Sequence, residues 1–177
     1  YAEACSEPEV LCGEGCQLAD TTEGMIAQAE SLQIDKRQAA DGADVVALQE
    51  LITYGLKGAA AYADHAQVLN VADDAVFATF NEILDYLAGN PSDVAELTGT
   101  ALKVGELNLK VMELLDRANT DTFGHPEPTP VNIAPVAGKC ILVSGHDLKD
   151  LLELLKQTEG KGVNVYTHGE MLPANAY

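Results

Sequence analysis

Two side chains in the last quarter of the chain, His146 and Glu170, are of types that can hold a metal together. A neutral imidazole nitrogen and a carboxylate oxygen suit a first-row transition metal. What must bring them together is the segment 140–175, CILVSGHDLKDLLELLKQTEGKGVNVYTHGEMLPAN. By type and spacing alone, the pair also fits a loop histidine and a loop glutamate in water.

The elements of that segment follow from its pattern. Cys140–Val143 is a short apolar run rich in branched residues, as a buried strand would be. Ser144–Gly145 is a turn signal, and Asp147 opens a helix with Leu148, Leu151, Leu152, Leu154 and Leu155 at helical spacing. Asp147 and Asp150 place negative charge in its first turn, where the helix dipole favours it. Gly160 and Gly162 end the helix. Val163–Tyr166 is a second β-prone run, and His168–Asn175 reads as a loop stopped by Pro173. Strand, helix, strand in this order is a βαβ unit with a right-handed crossover. Both loops after the strands then leave from one sheet edge, where ligands bind in open α/β sheets. Neighbouring strands lie about 5 Å apart, so His146 and Glu170 can face one small site.

Upstream, apolar periodicity predicts helices. A weak, polar pattern covers 18–40, and 36–42 reads as a loop. A long helix is expected from Ala43 to Leu69, with Val45, Leu48, Leu51, Ile52, Leu56, Ala59, Ala60 and Ala63 inward. Small residues at Gly55, Gly58, Ala59 and Ala63 allow another helix to approach closely. Asp74–Leu87 presents Val76, Phe77, Phe80, Ile83, Leu84 and Leu87. After Gly89–Asn90, with Asn90 as cap and Pro91 at the first position, a helix to Ala118 carries Val94, Leu97, Ala101, Val104, Leu107, Val111, Met112 and Leu115. Three long helices with short connections make an antiparallel bundle. Four prolines and two glycines in 119–138 forbid regular structure and mark a linker. The fold class is therefore α+β and multidomain: an antiparallel helical bundle followed by the start of a Rossmann-like α/β domain. The expected divisions are 1–42, a cysteine-bearing segment and short helix; 43–118, the bundle; 119–138, the Pro-rich linker; and 139–177, the α/β unit.

Other candidate residues carry less. Cys5, Cys12 and Cys16 lie near Gly13 and Gly15 and could wrap an iron–sulfur or zinc site. They fit equally a disulfide, free thiols, or a segment whose beginning is missing. His125 is expected to pack the bundle against the sheet, His65 to sit on a solvated helix face beside Asp64, and His168 to support the His146–Glu170 site. Cys140 is expected to be a small buried apolar residue.

The 28 acidic side chains against 10 basic ones give a net charge of −18. Such a surface repels nucleic acid and anionic membrane, so neither is expected as a partner. With no apolar run long enough to span a bilayer and no signal-peptide pattern, the expected location is the cytoplasm. Tyr1 in place of an initiator Met, and a two-strand sheet too small to form its own core, lead to the expectation of a piece of a longer chain.

Three stretches carry a family resemblance: SGHDLKDLLELLKQTEGKGVNVYTHGEMLPAN (144–175), YGLKGAAAYADHAQVL (54–69) and FGHPEPTPVNI (123–133). Together they resemble the hybrid cluster proteins, also called prismane proteins or hydroxylamine reductases, from about Leu48 to Tyr177. The resemblance implies an oxidoreductase reducing hydroxylamine to ammonia and water, or acting on nitric oxide, with a redox partner as electron donor. It implies that His146 and Glu170, as catalytic and metal-binding residues, are ligands of an iron–sulfur–oxygen hybrid cluster (Fe4-S2-O2 type). A second iron–sulfur cluster is implied for the complete protein, but Cys5, Cys12 and Cys16 do not match the family's N-terminal pattern. The other hybrid-cluster ligands lie outside these residues, so the chain alone is expected to be inactive. The alternatives are a non-catalytic helical scaffold that binds no cluster, and a relative of the nickel carbon monoxide dehydrogenases.

Overall fold

In the computed structural model, residues 19–30 and 33–177 are described. The cysteines at 5, 12 and 16 lie outside them. Two short helices, α1 (Thr22–Glu30) and α2 (Ile34–Asp41), precede the bundle and bury none of their side chains. The expected loop over 36–42 is thus mostly helix. What holds α2 is polar: Arg37 pairs with Glu50 and donates through Nη2 to Gln49 Oε1 at 2.8 Å. Gln49 is itself buried and donates to Asn90 Oδ1 at 3.1 Å and to the Pro91 carbonyl at 2.9 Å. An apolar pattern search is blind to such a lock.

The bundle consists of α3 (Ala43–Val68), α4 (Asp74–Ala88) and α5 (Val94–Phe123). Helix α4 starts beside the end of α3 and finishes near its beginning, as the Gln49–Asn90 bond shows. It therefore runs antiparallel to α3, and α5 returns alongside α3. The core is Val45, Ile52, Leu56, Ala59 and Ala63 of α3, Val76, Phe80 and Ile83 of α4, and Leu97, Val104, Leu107 and Val111 of α5. Leu51, Leu84, Val94 and Met112, all expected inside, are exposed instead. With only three helices, each buries one stripe, and residues at its margin stay in water. Ala60 is also exposed.

Helix boundaries follow the caps. Asp73 and Asp93 accept from the backbone N–H of Ala75 and of Ala95 and Glu96. Asp93 rather than Asn90 therefore starts α5, and Asn90 adopts φ 49° in the preceding turn. Residues 119–123, expected in the linker, complete α5 up to Gly124. The rest of the linker is irregular yet tethered. The Tyr166 hydroxyl accepts from Val136 N at 2.7 Å, and Glu127 N donates to the Ala176 carbonyl at 2.9 Å.

The α/β unit is β1 (Lys139–Val143), α6 (Leu148–Thr158) and β2 (Val163–Thr167), followed by a 3-10 stretch, Gly169–Ala176, where a loop was expected. The strands are parallel, with Lys139 opposite Val163 and Val143 opposite Thr167. Strand β1 was expected to be buried; instead Ile141, Leu142 and Cys140 are exposed. Its apolar run suits cover on both faces, and the two strands here give it one neighbour only.

Close approach of α3 and α5 is concentrated at Gly55. A Cβ added there would lie 2.8 Å from Val104 Cγ1, whereas one at Gly58 would meet nothing within 4 Å. Gly58→Ala should stabilise the bundle by about 1 kcal/mol through helix propensity. Gly55→Ala should unfold at lower denaturant than Gly58→Ala, the gap being about 1–3 kcal/mol of overpacking; urea titrations of both variants measure it.

Candidate metal-binding site

Register decides where the two candidate side chains go. Val143 and Thr167 are partners at the carboxyl end of the sheet. Three residues beyond each, through Ser144–Gly145 and through His168–Gly169, stand His146 and Glu170. Equal offsets from a paired position, in parallel strands, deliver both to one edge at one height. The outcome is a His146 Nε2 to Glu170 Oε2 distance of 3.8 Å.

Local structure reinforces this placement. Gly145 has φ 131°, a conformation that side-chain-bearing residues rarely adopt, so the chain can turn sharply off β1. The His168 N–H donates to the Val143 carbonyl at 2.7 Å, prolonging the strand pairing by one bond. The Ser144 hydroxyl and His168 Nδ1 lie 3.3 Å apart, linking the two loops directly. Asp147 caps α6 by accepting from Asp150 N at 2.9 Å. The side chains of His146 and Glu170 are 47% and 58% exposed. They are therefore open to a ligand.

The bundle also reaches this site. Tyr62 of α3 stands edge-on to the His146 ring, centroids 6.0 Å apart and planes at 88°. The same tyrosine makes a T-shaped contact with His65 at 5.9 Å. His65 Nε2 lies 3.9 Å from Asp147 Oδ2, and its Nδ1 is buried without a hydrogen-bond partner. His65 therefore faces the α/β unit and not water, contrary to the expectation from the adjacent Asp64. Tyr62 and His65 flank the buried Ala59–Ala63–Ala66 stripe and lie within the 54–69 stretch that carries the family resemblance, two signals in the sequence that could have found them. His125 is exposed and does not pack the bundle against the sheet.

A cavity of about 410 Å³ lies between His65, residues 143–147, the first turns of α6 and Met171. A larger groove of about 1030 Å³ runs between residues 131–136, α6 and β2. Neither His146 nor Glu170 lines it.

A first-row ion bonds nitrogen and oxygen donors at about 2 Å, so two donors on one ion stand about 3–4 Å apart. The His146–Glu170 distance fits that geometry. Among the described residues no third His, Cys, Asp or Glu joins them in a metal-holding group. The arrangement thus brings one nitrogen and one oxygen donor together and leaves room for other groups.

The model of the Prismane/CO dehydrogenase family matches residues 7–177. The chain belongs to this family. It is 56% identical, over its whole length, to a hydroxylamine reductase of Acidithiobacillus ferrooxidans, and covers 33% of that protein. Similar proteins carrying the same name occur in Burkholderia ambifaria (56% identity over 91% of this chain, 29% of the relative) and Rhodospirillum rubrum (50% over the whole chain, 33% of the relative). The chain therefore spans about a third of the length of these relatives. The family match begins well before Leu48, where the resemblance legible in the sequence begins. Among the described residues, no helix is long and apolar enough to cross a membrane.

Replacing Asp147 by Ala should cost about 1 kcal/mol by removing the α6 cap, whereas Asp147→Asn should keep most of it. Thermal unfolding of the two variants against the parent checks the difference.

Proposed function

We propose that the chain is the part of a hydroxylamine-reducing oxidoreductase that supplies one nitrogen and one oxygen ligand to its iron–sulfur–oxygen hybrid cluster. The observation that carries this reading is the convergence of His146 Nε2 and Glu170 Oε2 at the carboxyl edge of the sheet. The names of the relatives support the substrate class, and the family supports an iron–sulfur group.

When bound, such a cluster supplies electrons and an open iron position for a small nitrogenous substrate. The chain's own contribution is geometric and electrostatic. His146 would bind iron through neutral Nε2, and Glu170 through a carboxylate oxygen. Nitrogen and oxygen donors are harder than thiolates, so an iron held by His146 and Glu170 would keep more Lewis acidity than one held by sulfur alone. The Ser144–His168 link between the two loops keeps the ligands in register. Hydroxylamine would be reduced to ammonia and water, with nitric oxide as the other candidate substrate and electrons arriving from a redox donor. The remaining ligands and a second cluster belong to the rest of the protein, so residues 1–177 alone would be inactive. A colourless full-length protein would instead favour a helical scaffold, and nickel in it a carbon monoxide dehydrogenase-type centre.

His146→Ala and Glu170→Ala in the full-length protein should each lower bound iron, the visible absorption it produces and hydroxylamine turnover, all together. Iron analysis, absorption spectra and an ammonia assay provide the check. Unchanged iron and turnover in both variants would refute the proposal.

A further inference from the structure

We infer that Tyr62 is a positioning residue: its ring sets the plane of the His146 imidazole and so the direction in which Nε2 points. The inference rests on the reading of His146 as a ligand and extends it to a residue of the helical bundle. His146 sits on a turn at Gly145, and its side chain is 47% exposed. Burial therefore does little to restrict rotation of its ring. Two contacts do restrict it, one with the Glu170 carboxylate and one with the edge-on Tyr62 ring. Perpendicular rings at this separation have the geometry that aromatic quadrupoles favour.

Tyr62 can act as a wall because its own place is fixed. It lies on the 26-residue α3, beside Ala59, Ala63 and Ala66, which are buried. One turn along the same helix, His65 faces Asp147, the residue after His146. Two neighbouring residues of α3 thus meet two consecutive residues of the loop. The contact needs the aromatic ring and not the hydroxyl, since it is made with ring planes at 88°.

Pulsed electron paramagnetic resonance on the iron-loaded full-length protein tests this through the nitrogen coupling of the histidine ligand. Tyr62→Phe should leave the coupling as in the parent. Tyr62→Leu should change or broaden it and weaken iron binding about 10-fold. Loss of the coupling in His146→Gln, together with an unaltered coupling in Tyr62→Leu, would overturn the role of Tyr62 alone. Survival of the coupling in His146→Gln would overturn the ligand reading itself. Should Tyr62→Leu fail to fold, a crystal structure of the loaded parent decides. Rings still close to perpendicular, with centroids within about 7 Å, support the inference, and separated or stacked rings overturn it.

Discussion

Parallel pairing of two five-residue strands is the constraint from which the site follows. Because Val143 lies opposite Thr167, any residue a given number of positions beyond one has a counterpart beyond the other. The chain places a histidine at that offset after β1 and a glutamate after β2, each following a glycine. A one-residue slip of register would reverse the side-chain faces of a whole strand and break this correspondence. The crossover through α6 enforces it, since a parallel pair cannot be closed by a tight turn.

A two-strand sheet buries little, and β1 shows it: Leu142 is 72% exposed. Order at the site is therefore borrowed from elsewhere. The linker is pinned to β2 through Tyr166 and to the end of the 3-10 stretch through Glu127. The bundle contributes α3, whose alanine stripe packs close to its neighbours and whose flank presents Tyr62 and His65 to the loop after β1. The polar lock around Gln49 ties α2, α3 and the turn between α4 and α5 together at the other end of the bundle. A helical layer thus does for the loop what further strands would otherwise do.

Much of this was legible in the residues. Apolar periodicity located α3, α4, α5 and α6, because each buries one continuous stripe. The βαβ order placed His146 and Glu170 on one edge without coordinates. Most of the missed features depend on partners distant in sequence, the local Asp93 cap being the exception. Helix α2 is held by Arg37 reaching Gln49 and Glu50, not by an apolar face. The start of α5 is set by the Asp93 cap over Asn90 and Pro91. His65 looks like a solvated residue beside Asp64, and only the docking of residues 143–147 against α3 covers it. The exposure of Cys140 and Leu142 was equally hidden, since a run that suits a two-faced strand does not say which neighbours are present.

The central claim is that the imidazole and the carboxylate bind the same iron. Diffraction from crystals of the loaded full-length protein, collected on both sides of the iron absorption edge, would locate each iron independently of the chain. The account predicts one iron with His146 Nε2 and a Glu170 carboxylate oxygen both at about 2 Å, the usual bonding distance for such donors. Iron lying away from this sheet edge, or the two groups bound to different metal atoms, would contradict it.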